Sequence, residues 1–168
     1  LDVQLLSHIH MQYPGYSVSV VAHLGKTRTK IFINVGVGDA VKPTEITMRL
    51  LSTDKAPLFE KDIELWAYPV EFIFAEKLQT AIARSQENSR MKDYHDLIFL
   101  MRGEIVEIPK AKSAIQDTFT NRGTAIGPID IPAEDTKKLQ AYWNAYRGTL
   151  AETTSAELNA DILEIIKE

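Results

Sequence analysis

The sequence predicts an α+β chain, with a small β-containing lobe over residues 1–68 and a helical bundle over residues 69–168. Three observations carry that prediction. Two runs rich in β-branched residues, YSVSVVAHL (16–24) and KIFINVGVG (30–38), crowd the N-terminal third. From Pro69 onward the apolar residues recur near a 3.6-residue period. No flexible linker separates the two patterns, so the lobe should pass directly into the bundle.

The elements follow in order. Residues 3–12 read as the last turns of a helix, with Leu5, Leu6 and Ile9 on one face and Pro14-Gly15 as its stop. The run 16–24 alternates and reads as a strand, Gly25-Lys26 as a turn, and 30–38 as a second strand. The second run is more continuously apolar, which predicts a central position in an antiparallel pair. Pro43 and Pro57 punctuate a turn-rich stretch, in which EITMRLL (45–51) and DIELWAY (62–68) read as short strands or extended connections. Pro69 suits a helix start, and a helix is predicted over 70–84. SQENS (85–89) interrupts it, and a second helix over 91–101 ends at Gly103. Further helices are predicted from Pro109 to about Thr120 and from Pro132 to Tyr146. The last should run to the chain end, capped by Thr153 or Thr154.

Composition limits the function classes. The chain is 45% hydrophobic and 25% charged, ordinary for a globular protein. It has no cysteine, which excludes disulfides and thiolate metal sites and fits a reducing, cytoplasmic setting. No apolar segment approaches the roughly 18 residues of a membrane span, and no signal peptide opens the chain. A start at Leu1 without Met reads as a trimmed fragment. The net charge of −4 gives no global argument for nucleic acid, so any such surface must be a local basic patch.

Residues 76–96 are the most informative. Lys77 and Arg84 lie two helical turns apart and share a face. On the next helix Lys92 and Asp96 are an i,i+4 pair, Asp93 and Asp96 are i,i+3 neighbours, and Arg90 precedes them. The short 85–89 connection predicts a helical hairpin that brings the two charged faces together. One reading is a solvated face of weak ion pairs, each worth less than about 1 kcal/mol. The other is a phosphate-binding and acid–base cluster, in which Lys and Arg neutralise a phosphoryl group and an Asp orients them or accepts a proton.

YPVEFIFAEKLQTAIAR followed by NSRMKDYHDLIFL resembles the two C-terminal signature motifs of the AbiEii-type nucleotidyltransferase toxin family. Lys77-Leu78 to Arg84 is similar to the pattern K-L-x-A-x-x-x-R, with Ala81 one position late. Arg90-Met91-Lys92-Asp93-Tyr94-His95-Asp96-Leu97 is similar to R-x-K-D-x-x-D-L. The similarity extends to INVGVGDAVKP (33–43), FTNRGT (119–124) and the Trp143 helix. This resemblance, to the C-terminal portion of the family pattern, implies an incomplete nucleotidyltransferase-like lobe of the polymerase-β superfamily. It implies transfer of a nucleoside monophosphate from an NTP to RNA, such as tRNA, or to a protein, with Mg²⁺ in the complete protein and a cognate antitoxin as partner. It implies that Lys77, Asp93 and Asp96 bind the nucleotide or act in catalysis, and that Arg84, Arg90 and Lys92 contact phosphates.

The family's N-terminal Gly-Ser loop and Asp-x-Asp pair are not found here. Asp62-Ile63-Glu64 alternates with Glu60 and reads as an exposed strand edge. Family members often show Asp where Asn34 stands, which puts a third metal carboxylate in doubt. Asp39 could substitute, but it reads better as part of a strand-end turn. The alternative function is therefore a non-catalytic module that binds nucleotide or a partner. His8 and His10 face different directions on the predicted helix, which disfavours a metal site. His95 lies off the Asp93/Asp96 face and reads as structural. Tyr142, Trp143 and Tyr146 fit core packing better than base stacking.

Overall fold

The protein is described by a computed structural model covering residues 2–6, 15–49, 51, 56 and 61–167. It is a mixed α+β chain, as the sequence predicts, and contacts divide it into two compact units at Ala40/Val41. Among the described residues no helix is long and apolar enough to cross a membrane.

The first unit is an antiparallel sheet of β1 (Asp2–Leu6), β2 (Gly15–Leu24) and β3 (Thr27–Val35), in that order. Gly25 takes φ +59° between β2 and β3, where a residue with a Cβ would be strained. The β2–β3 register runs from Tyr16 opposite Val35 to Leu24 opposite Thr27. Two expectations need correction. Residues 2–6 are strand rather than helix, with Val3 opposite Val18 and Leu5 opposite Tyr16. Val3 and Leu5 also satisfy a two-residue period, and pairing with β2 supplies the backbone partners that a short isolated helix would lack. The rest of that predicted helix, with His8, His10 and Pro14, lies outside the described residues. The central strand is β2, and β3 lies at the edge with its side chains exposed on both faces. Its apolar run was therefore a misleading sign of burial.

The second unit opens with β4 (Thr44–Met48) and β5 (Ile63–Ala67), paired antiparallel with Ile46 opposite Leu65. Pro57 lies outside the described residues. Helix α1 (Val70–Arg84) starts directly after Pro69, the predicted point of change from strand to helix. A 3-10 turn at Ser85–Glu87 leads to α2 (Met91–Arg102), which Gly103 closes. Helix α3 (Ile108–Asn121) carries Pro109 in its first turn, where the missing N–H has no helical partner to lose.

Helix α4 (Thr136–Arg147) starts later than Pro132. The Asp135 amide first bonds the Pro132 carbonyl at 3.0 Å to close a turn. The single last helix is also corrected. It is two short helices, α5 (Glu152–Glu157) and α6 (Ile162–Lys167), and Thr153 and Thr154 lie inside α5. The break falls at Leu158, which is extended and buries its side chain in the core. Gln140 on α4 bridges the break. Its amide donates to the Ala160 carbonyl at 2.7 Å, and its oxygen accepts from the Ile162 amide at 3.0 Å.

Among the described residues, two apolar clusters hold this unit. The larger joins Ala81 of α1, Tyr94, Leu97 and Ile98 of α2, Leu139 and Trp143 of α4, and Ile162 and Ile165 of α6. The smaller joins Phe72 and Ala75 of α1 to Ala114 of α3. Ala75 and Ala114 are fully buried, and side chains this small let the two helices approach closely. Helix α1 therefore packs on α3 through one face and on α2 through another.

Candidate functional site

The two charged motifs meet at the α1–α2 hairpin. Ala81 of α1 and Met91, Tyr94, Leu97 and Ile98 of α2 zip the apolar faces together. That packing sets Lys77 against Asp93 and Asp96, which lie one helical turn apart. The Lys77 ammonium donates to Asp93 Oδ1 at 2.9 Å and lies 2.7 Å from Asp96 Oδ2. The other Asp93 oxygen receives Arg90 Nε at 3.0 Å, and Asp96 Oδ2 also receives the Lys92 ammonium at 2.7 Å. The Asp93 side chain is only 5% exposed, against 20% for Lys77 and 27% for Asp96.

The electrostatics follow from this packing. Burial pushes the Lys77 pKa down, but the bonds to Asp96 and Asp93 outweigh it, so the ammonium form is favoured. Burial pushes Asp96 up, but Lys77 and Lys92 outweigh it and hold the carboxyl below its ordinary range. Three cations (Lys77, Arg90, Lys92) face two carboxylates (Asp93, Asp96), which leaves a local charge of +1. Five of the six predicted residues thus come together. Arg84 stands in the last turn of α1, where a cation suits the helix C-terminus, and forms no ion pair among the described residues.

Beside the cluster, His95 Nδ1 lies 2.7 Å from the Tyr146 hydroxyl, and Tyr146 stacks on Trp143 with ring centroids 5.7 Å apart. Burial and the charge of Asp96 raise the Tyr146 pKa. Trp143 is core, and its indole N–H donates to the Asn159 carbonyl at 2.9 Å. On the opposite side of α1, buried Gln79 donates to Thr124 at 2.8 Å and accepts from Arg122 at 2.9 Å. Arg122 also pairs with Glu76 at 3.4 Å, and Glu76 accepts from the Tyr68 hydroxyl. This brace fixes α1 next to Lys77. Sequence reading missed it, because its partners lie 43 and 45 residues from Gln79. The only hint was the FTNRGT stretch that carries Arg122 and Thr124.

The Asp93 and Asp96 carboxylates do not fit a divalent metal site. Asp93 and Asp96 are taken by cations, and no group of three His, Asp or Glu side chains that could hold a metal occurs among the described residues. Asp62, just before β5, forks with Arg49 at 2.8 and 3.2 Å, and Glu64 is exposed on that strand. Asn34 is an exposed position of β3 opposite Ser17, and Asp39 follows that strand in a loop.

Comparison with curated proteins found no match, and neither did comparison with solved structures. The family model described as the nucleotidyl transferase AbiEii toxin of type IV toxin–antitoxin systems matches residues 2–165, nearly the whole chain, and the chain belongs to that family.

Proposed function

We propose that the Lys77 cluster is the phosphate-contacting half of a nucleotidyl-transfer site, which moves a nucleoside monophosphate from an NTP to an RNA acceptor such as tRNA and releases pyrophosphate. The supporting observation is the Lys77 ammonium clasped by Asp93 and Asp96 where the two charged motifs meet. Family membership supports nucleotidyl transfer as the reaction class and an antitoxin as partner. In this reading Lys77 contacts the transferring phosphate, where a preorganised cation offsets developing charge. Asp93 is too buried to reach substrate and acts as a positioning residue that holds Lys77 and Arg90. Asp96 positions Lys77 and Lys92 from a more open place. Arg90, Lys92 and Arg84 supply further phosphate contacts. Mg²⁺ finds no donor set among the described residues.

The test is to incubate the chain with Mg²⁺, α-labelled NTPs, and tRNA or protein acceptors. Label transfer that disappears in Lys77→Ala supports the proposal, and label on protein rather than tRNA would correct the acceptor. The second reading, a module that binds nucleotide without transferring it, is favoured by the engaged carboxylates and by Asn34. Saturable NTP binding without label transfer would select it.

A further inference from the structure

A second candidate site lies apart from the Lys77 cluster. A cavity of about 540 Å³ opens within the second unit, between the β4–β5 hairpin, the start of α1 and one side of α3. Its volume falls in the range of small-molecule sites. Ile46, Ala67, Pro69, Phe72 and Ala114 make its wall largely apolar. Glu71 also lines it, is only 8% exposed, and forms no hydrogen bond or ion pair among the described residues.

The surrounding charges sharpen this. Lys42 at the rim pairs with Asp117 at 3.0 Å. Lys110 feels the attraction of Glu71 but bonds Glu107 at 2.7 Å. Both lysines are thus held at ion-pair distance by carboxylates other than Glu71, and Glu71 has no cation at that distance among the described residues. The start of α1 makes a carboxylate tolerable there. No protein donor takes up its oxygens among the described residues, which leaves them available to a molecule in the cavity.

We propose that this cavity binds a guanidinium or amidinium cation carried on an apolar stem. Two parallel N–H donors fit a carboxylate in the fork geometry that makes such pairs strong. The stem would lie along Ile46, Phe72 and Ala114. The chemistry is the same for a free amidine and for an arginine side chain presented by a peptide.

The test is an amide chemical-shift titration of the isotope-labelled chain with benzamidine and, separately, with N-acetyl-arginine methylamide. The expected result is saturable shifts at Val70 to Phe72 and at Ala114 with at least one probe. Benzamidine alone would mark a small-molecule site, and the arginine amide a peptide side chain. Glu71→Gln should weaken binding at least about tenfold. Ser113→Phe, at an exposed position on the wall, should weaken it similarly with Glu71 intact, and decides the matter if Glu71→Gln fails to fold. No shift at those amides with either probe at about 10 mM, or undiminished binding by folded Glu71→Gln, would overturn the proposal. Binding that survives Lys77→Ala would separate this site from the phosphate cluster.

Discussion

The sheet of the first unit and the helical core of the second are held by different forces. In β1–β3 the backbone ladder is continuous, yet Leu24, Ile31, Phe32 and Val35 remain exposed. In the helices, Trp143, Leu139, Ile162 and Ala81 are completely buried. Strand pairing satisfies backbone groups but contributes little net stability by itself, whereas removal of apolar surface from water is the dominant favourable term. The contrast teaches that abundant apolar residues in a segment do not make it a core. The charged site belongs to the well-packed region, and its geometry inherits that rigidity.

The largest break in this contrast should come from Trp143→Ala. Loss of a fully buried indole is expected to destabilise the helical unit by about 3–5 kcal/mol. Chemical denaturation would show it, and hydrogen exchange should place the loss in α2, α4 and α6 rather than in β2 and β3.

Lys77→Met should come next, at about 2 kcal/mol. It leaves the buried Asp93 with Arg90 alone, a weaker loss than full isolation of a buried charge. Its denaturation midpoint should fall while α1 and α2 remain helical by circular dichroism.

Acid should act on the same hairpin. The folded pKa of Asp96 is lowered, so its stabilisation is present above the ordinary carboxylate value of about 3.9 and is lost as pH falls through the folded value. Stability measured from pH 7 to pH 3 should therefore drop at the acid end, and Asp96→Asn should flatten that drop. The smallest effect is expected from Phe32→Ala. Phe32 is 64% exposed, and its removal should change stability by less than about 0.5 kcal/mol. A larger loss would show that β3 contributes a core of its own.

The α1–α2 hairpin was legible in the sequence because its information is local. Pro69, the 3.6-residue period and the short 85–89 connection together place Lys77 opposite Asp93 and Asp96. What was illegible depended on distant partners or on competing periods. Val3 and Leu5 fit a strand as well as Leu5, Leu6 and Ile9 fit a helix, and only pairing with β2 decides between them. The β3 run looked central because sequence records apolarity, not the position of a strand in its sheet. The His95–Tyr146 bond spans 51 residues, and Glu71 became notable only once α3 and the β4–β5 hairpin walled it in. Asp93 is a candidate catalytic group by motif, and under the proposed function it holds Lys77.

The most direct test is an ATP and GTP titration of the chain beside Lys77→Glu, with folding of both checked by circular dichroism. The native sequence should bind saturably and folded Lys77→Glu at least about thirtyfold more weakly, since a phosphate contact is then replaced by a like charge. Equal affinity in the two would overturn a phosphate-binding role and leave the cluster as an ion-pair network that only ties α1 to α2.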